Sequence, residues 1–200
     1  IATVETGDPD GLALMARLDI DPKLVGRRIL WAAFWSMDEH LFFHADPHPG
    51  NVFYLPGNRL AFIDFGMVGR LSPRRRDELL RLLLGLVERQ PQAVADVLLD
   101  WTGNGHGVDL GQLEGEIESF VDQYHGAPLS ELNLGQMLGD VTAILRGHQL
   151  GLPSDLALLI KAFISLESMG RGLDPDFHMA AEAQPLLRQV LRARYTPKSL

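Results

Sequence analysis

Three side chains with oxygen donors stand in a fixed order along a short stretch of chain: Asp46, Asn51 five residues on, and Asp64 thirteen beyond that. They belong to two polar segments, His44-Ala45-Asp46-Pro47-His48-Pro49-Gly50-Asn51 and Asp64-Phe65-Gly66, whose composition core packing does not require. Phosphoryl transfer needs hard oxygen ligands to hold Mg²⁺ on the phosphates, and a carboxylate that orients or deprotonates the acceptor, all brought to one point. Asp46 has the chemistry of that carboxylate, and Asn51 and Asp64 have the chemistry of the ligands. Asp and Asn also favour turns through local hydrogen bonds, so loop capping is one rival reading. A second is a transition-metal site at His44-x-Asp46-x-His48, because imidazole and carboxylate suit Zn²⁺ or Fe²⁺; Pro47 and Pro49 stiffen the loop against one-sided chelation. The joint spacing of all three oxygen donors favours the phosphoryl-transfer reading over both.

Such residues need elements to position them. Asp8-Pro9-Asp10 and Asp21-Pro22 are helix-start signals, and apolar residues then recur at helical spacing through Leu30, Phe34 and Met37, which predicts two helices before residue 40. Trp31, Phe34 and Trp35 fall on that rhythm and are expected in the core. The period then changes, so that 51–55 and 60–63 read as strands around the turn Pro56-Gly57-Asn58. Ser72-Pro73 supplies an N-cap and a proline at the first helical position, opening a helix to about Arg89, where Gln90-Pro91 breaks it. Helices are further predicted near 91–101, 110–124, 134–149, 154–169 and 178–195, separated by Gly103 to Gly107, Gly126-Ala127-Pro128, Leu152-Pro153 and Gly170 to Pro175. Gly103-Asn104-Gly105-His106-Gly107 lacks a preceding strand and the spacing of a phosphate loop, and reads as a connection. The fold expected is mainly α, one helical lobe carrying a small β-hairpin at its chemical centre. Arg74-Arg75-Arg76 lies in a first helical turn, where positive charge opposes the macrodipole. It reads as a solvated face, or, together with Arg70, as a contact for an anionic headgroup.

In the protein-kinase template a catalytic-loop Asp is followed five residues later by a metal-holding Asn, and then by the Asp of Asp-Phe-Gly beyond a strand-turn-strand. Asp46, Asn51 and Asp64 reproduce that order and spacing. His44 occupies the template's His slot, Ala45 replaces its Arg, and His48 stands where protein kinases carry a phosphate-facing Lys. Phe43-His44-Ala45-Asp46-Pro47-His48-Pro49-Gly50-Asn51 with Ile63-Asp64-Phe65-Gly66-Met67-Val68-Gly69 resembles the signature of the UbiB/AarF family of atypical kinases. The likeness is strong over about 40–72 and weaker at Leu152-Pro153 and Gly172-Leu173-Asp174-Pro175.

This resemblance implies the C-terminal lobe of a kinase-like α+β fold spanning 1–200, with catalytic and metal loops at 43–71 and a helical extension at 72–200. It implies ATP and Mg²⁺ as cofactors, with Asp46 and His48 in catalytic roles. It further implies His44, Asn51, Asp64 and Gly66 around the nucleotide, with Asn51 and Asp64 on the metal; read by itself, His44 is expected as a buried hydrogen-bonding strut. The activity implied is that of an atypical kinase or ATPase serving ubiquinone or other isoprenoid-quinone lipid metabolism, its acceptor a small molecule or lipid, cytoplasmic with peripheral membrane contact. The family's N-terminal lobe should bring a Lys for the α/β-phosphates, a partner Glu, a loop of small residues and a Lys-x-Gly-Gln motif. The lysines here are Lys23, Lys161 and Lys198, none on a strand before the catalytic loop, so the fragment alone is expected to be inactive. Two alternatives stay open: an antibiotic-phosphotransferase-like enzyme, which shares the His-x-Asp loop, and a non-catalytic module that handles lipid through ATP-linked shape change.

Composition narrows the classes. A net charge of −8 would repel phosphate backbones, which excludes a general nucleic-acid binder. With 46% hydrophobic and 22% charged residues the chain can bury a single core. The absence of cysteine removes disulfides and thiolate zinc sites and is compatible with a reducing cytoplasm. No apolar run reaches the ~18 residues of a membrane span, and the start Ile-Ala-Thr-Val-Glu has neither a basic leader nor an initiator Met, so the chain reads as a fragment.

Overall fold

The computed structural model describes residues 9–102, 109–124, 128 and 131–195. The Gly103–Gly107 connection, Gly126-Ala127 and Lys198 lie outside the described residues. Helix α1 spans Pro9–Arg17 and α2 spans Pro22–Glu39. Asp21 caps α2: its Oδ1 accepts the backbone N–H groups of Lys23 and Leu24 at 2.9 and 3.4 Å, and Pro22 presets the first helical φ. Four short strands follow, β1 Phe42–His44, β2 Val52–Leu55, β3 Arg59–Phe62 and β4 Val68–Arg70, with a one-turn 3₁₀ segment at Pro49–Asn51.

The strands nest. β2 and β3 form the expected hairpin, with Val52 opposite Phe62 and Leu55 opposite Arg59. β1 and β4, which sequence patterning does not reveal, pair antiparallel outside it, with Phe42 opposite Arg70, Phe43 opposite Gly69 and His44 opposite Val68. Three-residue strands with little alternation leave no period to read. Their pairing depends on one glycine: a Cβ on Gly69 would stand 2.1 Å from the Phe43 ring. The hairpin tip is fastened to α2 by the Asp21 N–H, which donates to Asn58 Oδ1 at 2.7 Å, and by the Arg28 guanidinium on the Asn58 carbonyl.

The remaining chain is helical: α3 Pro73–Glu88, α4 Pro91–Thr102, α5 Leu110–Gln123, α6 Leu134–Gly147, α7 Ser154–Leu173 and α8 Met179–Tyr195. Among the described residues the fold is thus mainly α, eight helices around two small sheets. Consecutive helices α3 to α7 pack in sequence, α7 returns onto α2, and α8 onto α3. One continuous core joins Phe34, Phe43 and Val52 to Leu83, Met137, Phe163 and Leu187. Helix α7 runs four residues past the predicted end at 169 because Gly170 is a packing site and not a breaker: the Phe177 ring lies where its Cβ would be, 2.3 Å away.

One expectation is corrected and a second is refined. Trp31 and Trp35 are 55% and 46% exposed, while Phe34 between them is buried. An i, i+4 pair shares one helix face, and the face of α2 that meets the core carries Val25, Ile29, Leu30, Phe34 and Met37 instead. The two indoles stack on the outside, centroids 6.2 Å apart. The arginine cluster keeps the expected solvated face at Arg74, whose side chain is 76% exposed, but its charges are paired. Arg74 and Arg75 reach the buried carboxylate of Glu78 at 2.6 and 3.0 Å, Trp101 Nε1 donates to the same carboxylate, and Arg76 pairs with Asp77. A buried charge needs such partners, and the side-chain hydrogen bond and charge of Glu78 hold the Arg74 guanidinium in its protonated form.

Candidate active site

Nesting one hairpin inside another strand pair brings the loop after β1 and the loop after β3 to the same end of the sheets. Backbone hydrogen bonds tie them there: Ala45 N–H to Met67 O at 3.0 Å, and Ile63 N–H to Asn51 O at 2.9 Å. Asp46, His48 and Asn51 come from the first loop, Asp64 and Gly66 from the second.

His44 joins the two loops. Its Nδ1 accepts the Asp46 N–H at 3.1 Å and its Nε2 lies 3.0 Å from the Ile63 carbonyl, as the Nε2–H tautomer requires. This is the hydrogen-bonding strut expected of it, half-buried and not buried. With both ring nitrogens engaged, the His44-Asp46-His48 chelate lacks its first ligand, and among the described residues no group of three or more His, Cys, Asp or Glu converges on a metal position. His48 bends back over its own loop: Nδ1 accepts the Gly50 N–H at 3.0 Å and Nε2 faces Asp46 Oδ2 at 3.5 Å. Gly50 is required at that turn, since a Cβ would sit 2.8 Å from the imidazole.

Asn51 is buried, and its Nδ2 donates to the Asp46 carbonyl at 3.1 Å, which turns the amide oxygen away from that contact. Asp64 sits at φ 56°, a left-handed conformation that Asp tolerates better than most residues and that marks strained functional loops. Its Oδ1 accepts the Gly66 N–H at 3.3 Å, and its carboxylate is exposed. A Cβ on Gly66 would crowd that oxygen at 3.1 Å. The donor set fits Mg²⁺, which takes one or two carboxylate or amide oxygens plus phosphates and water, and seldom a full protein cage. Asn51 Oδ1 and the Asp64 carboxylate are the groups that would hold it.

Asp46 has a partner that motif reading missed. Lys161 of α7 places Nζ 3.5 Å from Asp46 Oδ1, across 115 residues of sequence. The one available signal was scarcity, since the chain carries three lysines, and Lys23 is paired with Asp174. Beside the loop opens an apolar cavity of about 170 Å³, walled by Trp35, Phe42, Phe62, Phe65 and Phe163, with His44 and Pro47 at its margin.

The sequence matches the ABC1 atypical kinase-like domain over residues 3–98 and the UbiB helical domain over 117–178. It is 29% identical over 195 residues to the Xylella fastidiosa (strain M12) protein named "Probable protein kinase UbiB", covering 94% of this chain and 35% of that protein. Its identity to the Pseudomonas putida (strain W619) protein of the same name is 30% over 193 residues, covering 94% and 36%. An uncharacterised protein of Synechocystis is 40% identical over 129 residues, 64% of this chain and 32% of that one. The chain therefore spans about a third of the length of these curated relatives. No solved structure matches it. Taken with the nested loops that carry Asp46, Asn51 and Asp64, these matches show that the chain belongs to the UbiB family of atypical kinase-like proteins.

Proposed function

We propose that this chain supplies the catalytic and metal-binding loops of an ATP- and Mg²⁺-dependent atypical kinase or ATPase. The intact protein would transfer the γ-phosphoryl group of ATP to a small molecule, a lipid or water, in support of ubiquinone or other isoprenoid-quinone lipid metabolism. The observation that carries the reading is the strand nesting that sets Asp46, Asn51 and Asp64 on adjoining loops.

Asp46 receives or orients the acceptor hydroxyl; a positioned general base of this kind contributes on the order of 10²- to 10⁴-fold. His44 fixes the Asp46 backbone from below, and His48 donates toward its carboxylate from the side. Asn51 and Asp64 present hard oxygens to the phosphate-bound ion, and Gly66 leaves the Asp64 carboxylate uncrowded. Mg²⁺, when bound, neutralises charge on the phosphate oxygens. The groups that grip the rest of the nucleotide would come from outside this chain, as its one-third share of its relatives' length allows.

Acceptor choice follows from what comes after Asp64-Phe65-Gly66. Peptide kinases place there a long activation segment ending in Ala-Pro-Glu. In this chain α3 opens at Pro73, and β4 fills part of the short interval. That leaves no peptide platform, while the apolar cavity beside Pro47 and Phe65 suits a lipid acceptor. Among the described residues no helix is long and apolar enough to cross a membrane. Labelled ATP offered to the intact protein with a peptide library, and separately with isoprenoid lipid extracts, tests the reading. We expect lipid-stimulated turnover and negligible peptide labelling; robust transfer to many peptides without lipid stimulation would overturn it. Lipid binding without any turnover would favour the non-catalytic module.

A further inference from the structure

Peptide kinases set a lysine two residues after the catalytic Asp, facing the transferring phosphate; this chain has His48 in that slot. His48 cannot serve as a fixed cation there in the arrangement observed. Its Nδ1 is spent accepting the Gly50 N–H, and its Nε2 faces Asp46. The loop itself is thus left with a carboxylate, an amide and an imidazole already engaged at both nitrogens at the point where a phosphoryl group carrying negative charge would arrive.

A cation does reach that point, from a different element. Lys161 lies on the solvent side of α7, and its Nζ stands 3.5 Å from Asp46 Oδ1. The neighbouring face of α7 holds it in place. Leu159 and Ala162 are buried, and the Phe163 ring packs on Phe34 of α2 with centroids 5.6 Å apart. Leu159, Ala162 and Phe163 also wall the cavity that Pro47 borders, so the helical turn bearing Lys161 is anchored against the catalytic loop itself. Both partners remain well exposed, 56% for the lysine and 35% for the aspartate. A solvent-exposed ion pair of this kind adds little to stability, so stabilising the fold does not account for the placement.

We propose that Lys161 is the phosphate-facing cation of this site, a catalytic residue that contacts the transferring phosphoryl group from α7 in the role His48 leaves vacant. The proposal rests on the phosphoryl-transfer reading above. In the step, the acceptor oxygen forms a bond to the γ-phosphorus as the bond from that phosphorus to the bridging oxygen breaks. The electron pair of the broken bond leaves with ADP, and the acceptor proton goes to the Asp46 carboxylate. Lys161 keeps its proton throughout and supplies charge alone. An ammonium on a four-carbon stem suits this, since it can leave Asp46 and swing to a phosphoryl oxygen without movement of the helix.

The test uses the intact protein with Lys161→Met, Lys161→Arg, Asp46→Asn and the Asp46→Asn/Lys161→Met pair, thermal melts confirming that each folds. Binding is read by calorimetry with Mg-ADP, and with Mg-ADP plus aluminium fluoride, which stands in for the transferring phosphoryl group. Lys161→Met is expected to leave Mg-ADP affinity unchanged and to weaken the aluminium fluoride complex on the order of 10²-fold, the usual cost of one lost electrostatic contact to the transition state. Lys161→Arg should restore part of it. Single-turnover rates should fall with Lys161→Met in the Asp46→Asn background as well as in the parent. An aluminium fluoride complex as tight in Lys161→Met as in the parent would overturn the proposal. So would a rate loss that disappears once Asp46 is Asn, which would make Lys161 a positioning residue for Asp46, or a rate gain, which would make it a lock. If Asp64→Asn and Asn51→Ala bind Mg-ADP normally, the phosphoryl-transfer reading fails; if they lose it while Lys161→Met binds both complexes as tightly as the parent, the lysine assignment alone fails.

Discussion

Asp46, Asn51 and Asp64 are close in sequence and alike in polarity, yet their surroundings give them separable tasks. Asn51 is buried and held by the Asp46 carbonyl, and Asp64 is pinned at positive φ with one oxygen on the Gly66 N–H. These are restraints that orient ligands, so removing either donor should be felt in binding. We expect Asp64→Asn and Asn51→Ala to weaken Mg-ATP affinity by at least about tenfold, the lower range seen even for outer partners of a metal ligand. Calorimetry on the intact protein decides it, and unchanged affinity in both would remove the metal assignment. Asp46 is restrained differently: its backbone is held by His44 and Asn51, and its half-exposed carboxylate faces Lys161 and His48. Asp46→Asn should keep nucleotide affinity and lose about 10³-fold in turnover, since the missing group acts in the transition state. Sequence spacing marked all three residues because the loops that hold them are local, and a local loop is specified by the residues within it.

The elements are held by contacts of a kind that composition does not display. The pairing of β1 with β4 depends on Gly69 lying under the Phe43 ring. Gly69→Ala should therefore cost about 1–3 kcal/mol, as overpacking does, and Phe43→Leu in the same chain should recover part of it. Urea titration of the single and double variants measures this, and an Ala variant as stable as the parent would show that the strands can part without loss. Between α6 and α7 the buried Glu167 accepts the Gly135 N–H at 2.7 Å. Burial pushes its carboxyl above the ordinary range, against the opposing pull of that hydrogen bond and of Arg171. The sign follows directly: a carboxyl whose pKa is raised on folding contributes its full stability below the ordinary value of 4.5 and loses it as pH rises through the raised value. Glu167→Gln keeps an acceptor for Gly135 without the charge, so it should melt like the parent at pH 4 and above it at pH 8. A lower melting temperature at pH 8 would mean that the ion pair with Arg171 outweighs desolvation.

For the whole molecule, the chain covers about a third of its relatives. Ligand stabilisation requires a complete site in the native state. The isolated 200-residue chain should then show little thermal shift with millimolar Mg-ATP, and a clear shift would show that these loops bind nucleotide unaided. Much of this body was legible beforehand. Asp21-Pro22 and Ser72-Pro73 announced the starts of α2 and α3, and Pro56-Gly57-Asn58 announced the hairpin, because caps and turns are set by hydrogen bonds spanning a few residues. Helical periodicity could say that Trp31 and Trp35 share a face, but which face of α2 is buried depends on how α7 and α8 pack against it, and that packing buries Leu30, Phe34 and Met37 instead. The fate of Arg74 and Arg75 was likewise settled by Glu78 and Trp101 closing over one buried carboxylate. What the sequence determined by itself was written within a few turns of chain: the two polar loops proposed to carry catalysis and metal, and the family. The tertiary structure alone decided which side chains meet across helices, and so alone brought Lys161 to Asp46 over 115 residues. Contacts at that separation are selected by packing of the entire core, and no local pattern encodes them.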